Sequence, residues 1–191
     1  MTTISSSKFL DFKSAKSPQG HDWYYVKRNN DTTAHDSAVV ITTLVKNKET
    51  NEYDFLLMKT KRPPLYAENK SDFCIESPAG LIGDINANET LEECAKKELL
   101  EEAGLSADKI FLEMKNCSTS SGLSSETLSF VTAIVNEYNV ISQPVSDGGI
   151  IVERFLIPAK DVRKYLADLD CKKYSVATAT VSGIYFALAR I

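Results

Sequence analysis

The sequence predicts a mixed α/β sandwich, with strands and inserted helices, and three observations predict it. β-Branched runs bounded by turn residues recur along the chain, as in Ala38 to Val45 and Tyr53 to Met58. Between Glu89 and Ala103 the apolar period becomes helical, with Leu91, Ala95, Leu99 and Ala103 at every fourth position on one stripe. Gaps of hairpin length separate other strand-like runs.

Taken in order, residues 1–20 are rich in Ser and Lys and end in Ser17-Pro18-Gln19-Gly20, so a flexible lead-in closing on a turn is expected. Residues 21–37 form an N-terminal strand segment: Trp23 to Arg28 is strand-like, and a polar turn from Asn29 to Thr33 follows. Residues 38–191 carry the main domain. Its first two runs are joined by the polar Asn47-to-Asn51 stretch, which suits a hairpin. Pro63-Pro64 breaks the chain and opens a loop to Asp72, before a short strand from Phe73 to Glu76. The helix of residues 89–103 has Asn88 as a candidate cap and Gly104 where a helix stops. Ser125 to Val135 and Ile150 to Ile157 read as strands, the second ended by Pro158. Asp161 to Leu169 is helix-like, and Ala-rich Ser175 to Arg190 is a final helix. No repeat, low-complexity tract, Gly-rich dinucleotide fingerprint or P-loop interrupts this pattern.

Composition excludes several function classes. The chain of 191 residues has 43% hydrophobic and 25% charged residues, which is ordinary for a folded domain. Lys+Arg 22 against Asp+Glu 26 gives a net charge of −4, without a dense basic run, so nucleic acid and membrane surfaces are poor partners. An anionic substrate would need positive charge supplied locally, by a few basic side chains or a metal ion. No stretch approaches the ~18 apolar residues of a membrane-spanning helix, and the polar Met1-Thr-Thr-Ile-Ser-Ser-Ser start is unlike a signal peptide. Cys74, Cys94, Cys117 and Cys171 are widely spaced, as reduced thiols would be, so a cytoplasmic protein is expected. With only His21 and His35, a His-based zinc site or a Ser-His-Asp triad is hard to build.

The chemistry concentrates in Lys97-Glu98-Leu99-Leu100-Glu101-Glu102-Ala103-Gly104-Leu105. On a helix Glu98, Glu101 and Glu102 stand at i, i+3 and i+4 and share one face, where like charges repel by a few tenths of a kcal/mol per pair. A cation among them resolves the repulsion. All-oxygen anionic ligands select a hard ion, Mg²⁺ first and Mn²⁺ next. A solvated acidic face is the alternative reading of the triplet taken alone.

The spacing around the triplet is more specific. Gly83, five residues, Glu89, seven residues, then Lys97-Glu98-Leu99-x-Glu101-Glu102-x-Gly104-Leu105 resembles the Nudix box. Its six fixed Gly and Glu positions coincide by accident on the order of 10⁻⁵ of the time in a chain this long. The box arginine is Lys97 here. In the family that arginine orients the glutamates, and lysine keeps the charge without the planar fork.

The resemblance extends over residues 22–190. Glu76-Ser77-Pro78-Ala79-Gly80-Leu81-Ile82 is similar to the lead-in of ADP-ribose and nucleoside-diphosphate-sugar pyrophosphatases. Lys61-Arg62-Pro63-Pro64, Ser121-Gly122-Leu123-Ser124 and Asp147-Gly148-Gly149 with the run to Glu153 resemble further elements of that branch. Trp23-x-x-Val26-Lys27-Arg28 is similar to the segment with which members hold the adenine. The resemblance implies a Nudix-type α/β/α sandwich with a mixed central sheet, in a homodimer whose N-terminal segment reaches the partner's site. It implies hydrolysis of the diphosphate of ADP-ribose, or of a related nucleoside diphosphate sugar, to AMP (or NMP) and a sugar phosphate.

Glu98, Glu101, Glu102 and the backbone of Ala79 would hold Mg²⁺ (or Mn²⁺), with Lys97 beside them. Trp23, Arg28, Arg62, Glu76, Ala79 and Leu81 would contact substrate. For the catalytic base the family's loop glutamate aligns with Ile150, so Asp147 and Glu153 are named, with Glu126 or a box glutamate as substitutes. Other Nudix substrates (UDP-sugars, oxidised nucleotides, dinucleoside polyphosphates) and a non-catalytic nucleotide-sugar-binding module are the alternatives.

Overall fold

The computed structural model describes residues 1–29, 37–84, 86–138 and 150–191. At the N-terminus β1 (Thr2–Ser6), β2 (Leu10–Lys16) and β3 (Asp22–Arg28) form a three-stranded antiparallel sheet in that order. Residues 2–16 are therefore mostly strand, where a flexible lead-in was expected from their Ser and Lys content. The Ser17–Gly20 turn explains the difference. Gly20, at φ +85°, donates its N–H to the Ser17 carbonyl at 2.9 Å and folds β2 back onto β3 from Lys16↔Asp22 to Leu10↔Arg28. Phe12 then stacks on Tyr24, ring centroids 5.8 Å apart.

The main domain runs β4 (Ser37–Lys46), β5 (Tyr53–Thr60), α1 (Pro63–Ala67), β6 (Phe73–Glu76), β7 (Ala79–Leu81), α2 (Leu91–Ala103), β8 (Lys109–Ser118), β9 (Thr127–Val135), β10 (Ile151–Pro158), α3 (Val162–Ala167), β11 (Tyr174–Val176) and α4 (Thr178–Ala187). Its eight strands make one mixed sheet in the order β11-β6-β5-β4-β9-β8, with β10 on β5 and β7 on β4. β4 runs parallel to β9 from Ser37↔Thr127 to Val45↔Val135, and β11 runs parallel to β6; the remaining pairs are antiparallel. The polar link after β4 is a hairpin, as expected, with the Asn47 side chain accepting from the Glu49 and Thr50 amides.

Both sheet faces are covered, which explains why β4 and β5 are buried along nearly their whole length. On one face Val39, Ile41, Leu56, Val131 and Ala133 pack against Cys94, Ala95, Leu99 and Ala103 of α2. On the other, Leu44, Phe55, Leu57 and Ile134 pack against Val162 of α3 and Ile184 and Ala187 of α4. This is the α/β/α sandwich with a mixed central sheet. Among the described residues no helix is long and apolar enough to cross a membrane.

Four local features depart from the sequence expectation. Pro63 and Pro64 open a short helix instead of a loop, because a first-turn residue needs no amide hydrogen. Thr90, not Asn88, caps α2: Glu93 stands three residues on and closes a capping box with it. Ser175 to Arg190 is not one helix but the end of β11, then α4 and a single 3₁₀ turn, Leu188–Arg190. β8 has no counterpart among the expected strands. It is an edge strand carrying Glu113, Lys115 and Asn116, and its register on β9 shifts twice, which masks the alternation.

Candidate functional site

The capping box starts α2 at Thr90 and Gly104, at φ +70°, ends it, so Glu98, Glu101 and Glu102 occupy its last two turns. β7 lies against this helix. The Ala79 amide donates to Glu102 Oε2 at 2.9 Å. Gly80 faces Glu98 so closely that a Cβ there would lie 2.0 Å from Glu98 Cδ, so only glycine leaves room for the carboxylate. Glu98 is 8% exposed, and its carboxyl titrates near 7. Burial is the main cause; the neighbouring Glu101 charge adds to it and Lys97 opposes it.

Lys97 is the local counter-charge. Its ammonium lies 2.8 Å from Asp84 Oδ1, 3.1 Å from Glu89 Oε1 and 3.4 Å from Glu98 Oε1. Burial alone would lower its pKa, but hydrogen bonds to Asp84 and Glu89 and the Glu98 charge raise it above the ordinary value. Glu89 also accepts the Gly83 amide at 3.0 Å, and Gly83, at φ +79°, makes the turn that permits this. Glu89 thus precedes the helix cap and serves as a bracket between the turn and Lys97.

On the other side of β7 is a cleft of about 340 Å³ whose walls include Arg28, Arg62, Glu76, Ala79, Gly80 and Glu126. Arg62 is paired with Glu76 (Nη2 to Oε2 2.8 Å, Nε to Oε2 2.9 Å), and Thr60 Oγ1 donates to the same oxygen at 2.8 Å. Arg28 is paired with Glu126, its Nη2 and Nε each 2.7 Å from Oε1. β3 reaches the cleft because the residue 122–126 segment holds it: the Val26 amide donates to Leu123 O at 2.8 Å, the Ser125 amide to Val26 O at 3.2 Å, and Trp23 Nε1 to Gly122 O at 2.9 Å. Trp23 remains 54% exposed, with its ring beside Gly122. Leu81 lines the cleft from the end of β7.

The structure therefore brings Arg28, Arg62, Glu76, Ala79 and Leu81 to one cleft and sets Glu98 and Glu102 against the strand that floors it. Glu153 is not brought there. It pairs with Lys59 across β5 and shares electrostatic neighbours with Tyr165 and Tyr174. The adjacent Arg154 instead donates to the Glu102 carbonyl, and successive strand residues face opposite sides. Asp147 lies outside the described residues, as do positions 30–33 of the expected polar turn.

Among the described residues, no three His, Cys, Asp or Glu side chains converge as a preformed metal site. The donor set nevertheless suits a hard divalent cation. It consists of carboxylates on one helix face and includes a buried Glu98, whose negative charge burial disfavours unless a cation stands beside it. Sequence reasoning did not find Asp84, Arg154 or Thr180, whose hydroxyl accepts the Ser77 amide at 2.8 Å behind the cleft. None of these carries a spacing signal; each is placed by tertiary folding.

A mixed sheet between α2 and the α3–α4 pair, with Glu98 and Glu102 packed under β7, is a Nudix-type fold. Along 99% of the chain and 90% of its own, the crystal structure of an ADP compounds hydrolase superposes with a TM-score of 0.62 at 18% identity. A Caenorhabditis elegans protein that carries the name nudix hydrolase 2 is 28% identical over 171 residues, 86% of this chain and 73% of that one. An ADP-ribose pyrophosphatase of Saccharomyces cerevisiae is 32% identical over 123 residues, 63% of this chain and 49% of that one, so the match spans about half the yeast protein's length. The chain is thus similar in sequence to these two hydrolases and similar in fold to the solved ADP compounds hydrolase. No protein-family model matches it.

Proposed function

We propose that the protein is a Nudix pyrophosphohydrolase that hydrolyses the diphosphate of ADP-ribose, or of a related nucleoside diphosphate sugar, to a nucleoside monophosphate and a sugar phosphate. One observation carries the reading. β7 separates a cleft with two guanidinium groups, Arg28 and Arg62, from the helix face bearing Glu98 and Glu102, and touches both. The similarity to the yeast ADP-ribose pyrophosphatase supports the choice of substrate.

Glu98, Glu101 and Glu102, with the Ala79 backbone, would hold Mg²⁺ or Mn²⁺, which supplies charge neutralisation at the diphosphate and a more acidic water. The protein's own groups do the rest. Arg62 and Arg28 present forks matched to paired phosphate oxygens, and each is held in place by its carboxylate, Glu76 or Glu126. Trp23, anchored by its N–H on Gly122, offers its exposed ring for stacking on the base. Of the carboxylates weighed as base, Glu126 lines the cleft, whereas Glu153 sits with Lys59.

A homodimer belongs to the same reading. Ile4, Phe9, Leu10, Phe12, Trp23 and Tyr24 of the N-terminal segment are all exposed in the single chain, a surface suited to a second copy. Free thiols at Cys74, Cys94, Cys117 and Cys171 fit a reducing compartment, the cytoplasm.

Phosphate-coupled turnover tests the proposal, with phosphatase added to release phosphate from the products. ADP-ribose, ADP-glucose, UDP-glucose, ATP and diadenosine polyphosphates are compared with Mg²⁺, with EDTA and in Glu102→Gln. Cleavage of ADP-ribose above the others, lost with EDTA and lowered at least ~100-fold in the variant, is the expected result. Binding of ADP-ribose without turnover of any compound would overturn it.

A further inference from the structure

We infer that Asp84 is a positioning residue that tethers the Lys97 ammonium, so that the lysine braces Glu98 instead of capturing it. The inference rests on the reading above that Glu98 helps to hold a divalent cation.

A lysine ammonium has three N–H bonds and no fixed plane, so a single carboxylate cannot orient it. Here three carboxylates surround it at unequal distances: Asp84 at 2.8 Å, Glu89 at 3.1 Å and Glu98 at 3.4 Å. The shortest contact pulls away from Glu98 and the longest is the one to Glu98. Glu89 is itself fixed by the Gly83 amide, and Gly83 makes the left-handed turn that delivers Asp84 to the lysine. Lys97 is thus drawn toward the turn, and Glu98 keeps a weaker, longer contact. An arginine at this position could grip both oxygens of one carboxylate with its fork and would need no third partner. Asp84 supplies by a tether the orientation that a fork would supply by shape. Without Asp84, the ammonium is left to Glu89 and Glu98, and its closer approach to Glu98 competes with a cation for that carboxylate.

The test uses the full chain and Mn²⁺ as probe, with free Mn²⁺ read by electron paramagnetic resonance and melting recorded alongside. Asp84→Asn should weaken Mn²⁺ binding about three- to tenfold, within the effect typical of groups that support metal ligands, and leave the melting midpoint within a few degrees. Asp84→Glu should retain most of the affinity. Lys97→Arg combined with Asp84→Asn should bind Mn²⁺ more tightly than Asp84→Asn alone, a rescue that a merely structural role in the turn would not give. Unchanged Mn²⁺ binding in Asp84→Asn overturns the tether, and so does a loss that Lys97→Arg fails to recover. If the wild-type chain hydrolyses no nucleotide yet shows this Mn²⁺ pattern, the tether stands and the proposed substrate falls.

Discussion

Glu98→Gln should make the cation-free protein more stable at pH 8, although it removes a residue assigned to function. Glu98 titrates near 7 in the folded chain, against an ordinary value of 4.5, chiefly because it is buried. The folded state therefore holds this proton more tightly than the unfolded state. Stability from this group is complete below about pH 4.5, falls as pH rises, and is lost above about pH 7. At ~1.4 kcal/mol for each pH unit between the two values, the ceiling on the loss is about 3 kcal/mol. Gln keeps the shape without the charge. The Lys97 contact at 3.4 Å is already contained in the shifted value, so nothing more is subtracted for it. In a chain of this size each kcal/mol moves the melting midpoint by ~2–4 °C, so the ceiling of about 3 kcal/mol corresponds to ~6–12 °C. Calorimetry in EDTA at pH 5 and pH 8 measures it, with the gap between variant and wild type opening only at the higher pH. A gap equal at both pH values, or a variant less stable at pH 8, would refute the burial argument.

Gly80→Ala places a Cβ where Glu98 now lies and must drive the carboxylate out, so turnover should drop at least ~tenfold with melting preserved; a variant of wild-type kcat would mean that the contact is irrelevant. Thr90→Ala breaks the capping box and should cost about 1 kcal/mol in urea unfolding. Burial pushes the thiols of Cys74 and Cys94 up to about 12, so brief iodoacetamide treatment at pH 8 followed by peptide mass spectrometry should find the exposed Cys171 labelled first.

The family's box was legible because its residues lie on one helix, where fixed spacing becomes a shared face. The helical stripe Leu91, Ala95 and Leu99 and the runs of β4, β5 and β9 were legible for the same reason: local period follows burial. What the sequence concealed depends on distant partners. Asp84 acquires meaning only when Gly83 turns it toward Lys97, thirteen positions on. Arg28 and Glu126 are 98 positions apart, and no local pattern announces their pairing. β2 reads as a polar tract because its strand is held by ladder bonds to β3 and by one aromatic stack, not by a buried core. Glu153 is a base candidate only through the family resemblance, and strand alternation turns it toward Lys59 and leaves Arg154 facing α2.

The junction between β3 and residues 122–126 has a kinetic meaning. Its bonds close a loop of just over half the chain, so the entropy of that closure opposes them until the strands between are in place. Arg28 should therefore join the cleft late in folding, as Trp23 seats on Gly122. The same bonds can open without breaking β4, whose side chains are buried throughout its centre. Native-state hydrogen exchange would register this as amides of β3 exchanging well before those of β4, leaving a molecule that has lost one wall of its cleft while its central sheet is intact.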